Sequence, residues 1–286
     1  TLFRSGLPVE KALQMATIQP ARCYGLYRLG MIAPGRQADF VILDNVADLN
    51  VVDVYHCGKK IIKDEKAELK PCPPYLKNTV HVSGFSEERL KLKHPGTKAR
   101  VIQMLEKQIV TKDILEEVPW IESGDEKYFA PDGEYQKIAV IERHKNTGKM
   151  GVGIVKGYGI RGGAIASSVS HDSHNIIVVG DNDRDIAIAV KEMMRTQGGY
   201  TLVCNGEIYG TLPLPVMGLM SDAGYESVNE VLAKMIPKAH EMGVKEGFDP
   251  FITLSFMALP VIPEIRITPR GIYLVNEDRM LRTPFS

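Results

Sequence analysis

A chain of 286 residues in which 44% are apolar and 24% charged has the balance of an ordinary globular protein and enough length for two domains. Thirty-five basic residues offset thirty-five acidic ones, which excludes the positive excess that nucleic acid or an anionic membrane would demand. The longest apolar runs, such as Ile176–Val179, are far too short to cross a bilayer, and no basic-then-apolar leader opens the chain. A cytoplasmic protein with no nucleic-acid or membrane partner is expected. Cys23, Cys57, Cys72 and Cys204 form no Cys-x-x-Cys pair and are expected to be reduced thiols. Thr1 is not a methionine and the next residues already read as protein interior, so further chain is expected upstream.

The stretch Gly6–Ala16 predicts a helix with Pro8 in its first turn and Val9, Leu13 and Ala16 on one face; Gln19-Pro20 is expected to end it. Ala21–Tyr24 adds a short turn stopped by Gly25. Phe40–Leu43 suits a strand, and Val52–His56 with Ile61-Ile62 a hairpin around Gly58-Lys59. Prolines 71, 73 and 74 make the segment from Lys70 a stiff connector, and the domain boundary is drawn there. Further strands are predicted at Arg100–Leu105, Lys137–Ile141, Gly151–Val155, Ile176–Val179, Tyr200–Cys204 and Gly271–Val275. Helical spacing is clear over Arg184–Thr196, closed by Gly198-Gly199, and over Ser227–Met242, where Pro237 should introduce a kink.

Gly157-Tyr158-Gly159-Ile160-Arg161-Gly162 matches the dinucleotide fingerprint after a strand. The context argues against it, because Gly163–Ser170 is small, β-branched and serine-rich rather than helical; a glycine-permitted turn is the plainer reading. Ser170-His171-Asp172-Ser173-His174-Asn175 is the densest polar cluster and immediately precedes an apolar strand. Its side chains suit a metal, a solvated loop or a substrate-facing, proton-shuttling loop, although two histidines three apart converge on one ion only across a turn. Glu264, between Pro263 and an apolar strand, reads as an exposed carboxylate paired with Arg266. Among Asp181, Asp183 and Asp185 at least one is expected to cap the following helix, and no calcium-loop spacing is present. The methionines from Met193 to Met242 read as core filler.

Ala16-Thr17-Ile18-Gln19-Pro20-Ala21, followed by Gly30–Asp44 with its Pro-Gly-x-x-Ala-Asp core, resembles the closing signature of the amidohydrolase superfamily. The stretches Ser170–Asn175, Asn205-Gly206-Glu207-Ile208 and Leu259–Glu264 are similar to the C-terminal domain of the adenine deaminase family. The resemblance implies an α+β chain. Residues 1–72 would carry the remnant of a barrel-flanking helix and a small β domain, and residues 73–286 a mixed, largely antiparallel α/β C-terminal domain. It further implies that the parent protein hydrolyses adenine to hypoxanthine and ammonia with a water activated by a divalent metal, manganese or iron, or else zinc. The His-x-His, bridging carboxylate, later histidines and last-strand aspartate of that site map onto nothing here, so the ligands and the barrel are expected before Thr1, no residue of this chain is assigned to the metal, and the chain alone is expected to be inactive. His171, Asp172, His174, Asn175 and Glu264 are the candidates for substrate contact or loop closure. Another cyclic amide or amidine hydrolase of the superfamily and a non-catalytic assembly module remain open, as does a homo-oligomer.

Overall fold

The computed structural model describes residues 6–46, 48–61 and 71–286; the expectations resting on Thr1, Ile62 and Lys70 lie outside these. It divides into two compact units, Thr1–Glu68 and Leu69–Ser286.

In the first unit, helix α1 (Val9–Ala16) is followed by α2 (Ile18–Cys23). The break falls at Thr17, whose hydroxyl donates to the Leu13 carbonyl at 2.6 Å, and not at Gln19-Pro20. Pro20 lies inside the first turn of α2, where a missing N–H forfeits no intrahelical bond, and that position overturns the expected stop. Pro8, expected in the first turn of α1, is instead the N-cap residue just before it. Gly30 packs directly on α2, since a Cβ there would lie 2.7 Å from the Ala21 Cβ and 2.8 Å from the Thr17 carbonyl. Strands β1 (Phe40–Leu43), β2 (Val51–His56) and β3 (Lys59–Ile61) form an antiparallel sheet in that order. The hairpin turn is Cys57-Gly58, with φ of 51° and 76°, the left-handed pair that matches strand twist. Val41, Ile42, Val51, Val52, Val54 and Ile61 are all exposed, so this sheet has no buried apolar face of its own among the described residues.

The second unit is built on an eight-stranded sheet. Its strands are β4 (Ala99–Met104), β5 (Thr111–Glu116), β8 (Tyr135–Ile141), β9 (Met150–Lys156), β10 (Gly163–Ser167), β11 (Ile176–Gly180), β12 (Gly199–Cys204) and β13 (Glu207–Pro213). The spatial order is β13-β12-β10-β11-β8-β9-β4-β5, antiparallel throughout except for the β4–β9 pair. A separate hairpin, β6 (Trp120–Ser123) with β7 (Glu126–Phe129), follows β5. Period-two alternation explains why the central strands read as continuous apolar runs: both faces are covered. Ile138, Val140, Ile177, Val179 and Leu202 point into one core. Ala139, Ile141, Ile176, Val178 and Val203 point into the other.

Helix α3 (Asp183–Thr196) closes the second core with Ile186, Ala189, Val190 and Met193. Its cap is Asn182, whose side chain accepts from the Asp185 amide at 2.8 Å, so none of the three aspartates is the cap. Asp181 instead accepts from Gly162 and Gly163, and Asp183 pairs with the buried Lys137. Helix α4 (Tyr225–Glu241, with Pro237 inside it), helix α5 (Ile252–Met257) and the small antiparallel sheet β14 (Ile265–Thr268), β15 (Gly271–Leu274) and β16 (Arg279–Leu281) cover the first core. The architecture is α+β, with few helices and largely antiparallel sheets. No helix among the described residues is long and apolar enough to cross a membrane.

Candidate functional site

Residues 170–175 form a tight turn that delivers the chain from β10 into β11. The His174 amide donates back to the Ser170 carbonyl, and His174 takes a φ of 49°. The serines before it are committed to backbone. Ser168 Oγ donates to the Gly218 carbonyl at 2.6 Å and accepts from the Gly199 amide at 2.7 Å, and Ser167 Oγ holds Val169. The turn therefore leaves the sheet on a fixed base.

The structure brings His171, Asp172, His174 and Asn175 together in this turn. The His171 and His174 rings lie 6.3 Å apart, and His171 also packs on Phe256 of α5 at 5.0 Å. Asp172 and Ser173 are exposed. Asn175 is buried and structural in its contacts: Oδ1 accepts from the Arg143 amide at 3.4 Å and Nδ2 donates to Ser173 Oγ at 3.1 Å. Two polar atoms remain without a partner, Ser170 Oγ and His174 Nδ1, both buried. A buried donor or acceptor left unpaired carries its full desolvation cost, so such an atom points to a group that would complete it. Burial, then the Arg143 cation and then His171, push the His174 imidazole below its ordinary range, Asp172 opposes them, and His144 adds a small further push. At neutral pH this leaves a neutral ring able to accept or donate one hydrogen bond.

Beside the turn opens a cleft of about 670 Å³ whose walls include Ser173, Asn175, His144, Lys145, Lys149 and Arg270. His144 Nε2 lies 2.7 Å from the Ser173 carbonyl. Glu142, also on this wall, is occupied by its own turn and takes no partner from outside it. Lone residues at a strand exit give no sequence signal, and Arg143 and the cleft cations went unread for that reason.

Glu264 is not part of this group. It is exposed just before β14, as expected, but the expected pair with Arg266 does not form. Its Oε2 accepts from the Asp113 amide at 3.0 Å, while Arg266 is fully buried and donates to Thr111 Oγ1 and the carbonyls of Ile109, Pro263 and Ile265. Asp113 is in register with Ile102, Ile102 with Val155 and Val155 with Gln136, whereas Asn175 abuts the Ile176–Ile141 row. Five residues of strand, from Gln136 to Ile141, separate the two rows, on the order of 17 Å.

Gly157, Gly159 and Gly162 occupy a loop between β9 and β10 with φ of 94°, 99° and 64°. A strand follows where a nucleotide fold needs a helix, and a Cβ on Gly159 would meet the Gly243 carbonyl at 2.4 Å, so the glycines serve close backbone approach. Among the described residues the only three metal-capable side chains that converge are Asp39, His56 and Cys57. There the carboxylate already accepts from the Cys57 amide and Gln37 at 2.7 Å and faces His56 Nδ1 at 3.1 Å, and the Cys57 bond holds it below the usual range. The described residues of this chain do not supply the ligand set of a dinuclear metal centre.

The profile of the adenine deaminase C-terminal domain matches residues 108–279, and that of the amidohydrolase family matches residues 2–70. Among curated proteins the chain is 50% identical over 277 residues to an adenine deaminase of Desulfitobacterium hafniense (strain Y51), covering 97% of this chain and 48% of that protein. It is 42% identical over 275 residues to an adenine deaminase of Nitratidesulfovibrio vulgaris (strain DP4), covering 95% and 47%. An adenine deaminase of Petrotoga mobilis (strain DSM 10674 / SJ95) is 41% identical over 280 residues, covering 96% and 48%. The chain spans about half the length of the curated relatives it matches. With the adenine deaminase C-terminal domain matched over most of the second unit and nearly the whole of this chain aligned to its relatives, the chain belongs to the adenine deaminase family.

Proposed function

We propose that this chain is the C-terminal half of an adenine deaminase, an enzyme that hydrolyses adenine to hypoxanthine and ammonia, and that its Ser170–Asn175 turn contacts the purine. The observation that carries the reading is the pair of buried, unpartnered atoms, Ser170 Oγ and His174 Nδ1, on a turn fixed by its neighbours. A metal bound by the other half of the protein would supply an activated water for attack on C6; manganese or iron is proposed, with zinc as the alternative. This chain's part is orientation. His174, kept neutral, donates or accepts one hydrogen bond to the ring, His171 stands beside it on Phe256, and the exposed Asp172 can carry a proton outward. Asn175 shapes the turn, and Glu264 fixes the Pro260–Glu264 loop to β5 as a separate closure contact. Residues 1–72 are proposed to be the end of the barrel with its small β domain, and residues 73–286 the adenine deaminase-like domain. A cytoplasmic role in purine salvage or adenine catabolism, with self-association left to measurement, completes the proposal.

The test is kcat and KM for His171→Ala, Asp172→Ala and His174→Ala in the intact polypeptide that carries this chain, with metal content and Tm measured alongside. A hydrogen bond that strengthens as charge develops predicts a loss of about 10²-fold in kcat for at least one histidine variant. Near-wild-type kinetics in all three would remove the turn from the reaction, and a selective loss of metal would make its histidines ligands instead.

A further inference from the structure

Arg143 lies two residues beyond the end of β8, is 1% exposed and makes no ion pair among the described residues. Its guanidinium is spent on backbone carbonyls of three separate segments. Nε donates to His174, Nη1 to Thr79 at 3.3 Å and Nη2 to Met217 at 3.0 Å. Its own backbone joins the same knot: the amide donates to Asn175 Oδ1 and the carbonyl accepts from the His81 amide at 2.8 Å. Gly218 leaves the space the guanidinium fills, because a Cβ there would come within 2.7 Å of Nη1.

A charge buried against carbonyls alone is a costly way to hold a core, since well-packed apolar side chains serve bulk stability as well or better. What the planar fork supplies, and a hydrocarbon or an ammonium cannot, is direction: three acceptors fixed in one plane relative to one another. We propose that Arg143 is the positioning residue of the Ser170–Asn175 turn, acting on the reaction through His174 by holding that residue's carbonyl and the Asn175 side chain in one arrangement while touching no substrate itself. The catalytic half of this statement rests on the turn being a substrate contact; the positioning half does not.

A second effect follows from the same geometry. The groups facing His174 are Arg143, His171, Asp172 and His144. Burial is the first reason its ring resists protonation, and the Arg143 cation is the largest of the neighbouring charges that reinforce it. Burial pulls the guanidinium down only to about 10, so it stays charged at neutral pH. The clamp therefore also keeps the imidazole neutral.

The experiment compares wild type, Arg143→Met and Arg143→Lys in the 286-residue chain by imidazole nitrogen NMR across neutral pH and by amide exchange. Arg143→Met, which removes the cation, is expected to raise the His174 midpoint by at least about half a pH unit. Arg143→Lys keeps a charge but not the fork, so the midpoint stays low while exchange at His174 and Asn175 accelerates about tenfold. Unchanged exchange in the lysine variant overturns the proposal even if the methionine variant fails to fold, and so does an unmoved His174 midpoint in a folded methionine variant. In the intact enzyme, Arg143→Lys is expected to lower kcat about tenfold with KM within about twofold, and to add nothing in a His174→Ala background. Additive losses would show that Arg143 does not act through His174. Should His174→Ala itself prove kinetically silent, the substrate-contact reading fails with its catalytic consequence, while titration and exchange still decide the positioning.

Discussion

Glu142 organises the turn that forms one wall of the cleft. Its carboxylate accepts from the amides of His144 at 2.6 Å, Lys145 at 2.8 Å and Thr147 at 3.0 Å, and from the Thr147 hydroxyl at 2.8 Å. Burial alone would raise its pKa, but these four donors outweigh it and bring the group from the ordinary 4.5 down to about 2. A glutamine keeps one acceptor and turns an NH2 group toward amides that already donate, so Glu142→Gln breaks half of the arrangement. The full shift corresponds to about 3 kcal/mol at 1.36 kcal/mol per unit. Glu142 is half-exposed, and solvent screening reduces that to about 1–2 kcal/mol. In a unit of this size the loss should lower Tm by roughly 3–6 °C near neutral pH.

The pH dependence has a definite sign. A carboxylate whose folded pKa lies below its unfolded one contributes stability that is complete above 4.5 and is lost as the pH falls toward 2. Glutamine binds no proton, so the difference between the two proteins should close over that interval. Paired urea titrations of wild type and Glu142→Gln at about pH 7 and about pH 3 read this directly, since background titrations cancel in the difference. A gap that persists unchanged at acid pH, or no gap at neutral pH, would refute the reasoning.

Arg266→Ala should destabilise the second unit by about 3–5 kcal/mol, because it strips donors from Thr111 Oγ1 and from the carbonyls of Ile109, Pro263 and Ile265; an unchanged urea midpoint would show that those acceptors find water. Amides of Ala12–Ala16 in α1 should exchange far faster than those of the Ser227–Met242 helix, since only Ala12 of α1 is buried while α4 packs Met235 and Ala239 into a core. Equal protection would contradict this. The 286-residue chain supplied with Mn²⁺, Fe²⁺ or Zn²⁺ should form no hypoxanthine from adenine, and metal-dependent product above a mock preparation would overturn the assignment of the ligands to the other half.

Elements with a dense apolar signal were legible in the sequence. Ile176–Val179, Lys137–Ile141 and Gly151–Val155 lie within β11, β8 and β9, and the Arg184–Thr196 and Ser227–Met242 helices match α3 and α4 to within a few residues. Strands escaped where composition is small or polar. Gly163–Ser167 forms β10 in the interior of the sheet because its neighbours β11 and β12 supply the packing that its own glycine, alanines and serine lack. Trp120–Ser123, exposed throughout, and Glu207–Pro213, exposed over its first three residues, show no alternation strong enough to read. Pro20 misled because proline is a stop only where its N–H would have been used.

At the candidate site the division follows the kind of partner. Ser170–Asn175 stood out because its chemistry resides in side chains, and side chains are what a sequence spells. The residues that hold it did not, because their partners are backbone carbonyls, which every residue carries and no pattern marks. Arg143 bonds three of them and Arg266 three more, each arginine buried without an ion pair among the described residues and each fastening a loop that bears a candidate residue, His174 in one case and Glu264 in the other. The mistaken Glu264–Arg266 pair has the same origin: two residues apart and opposite in charge they look like partners, yet a guanidinium drawn into the interior by four acceptors leaves the carboxylate to find an amide at the edge of β5. Charge complementarity along a sequence predicts contact only where both groups stay in water, and these two do not share a solvent.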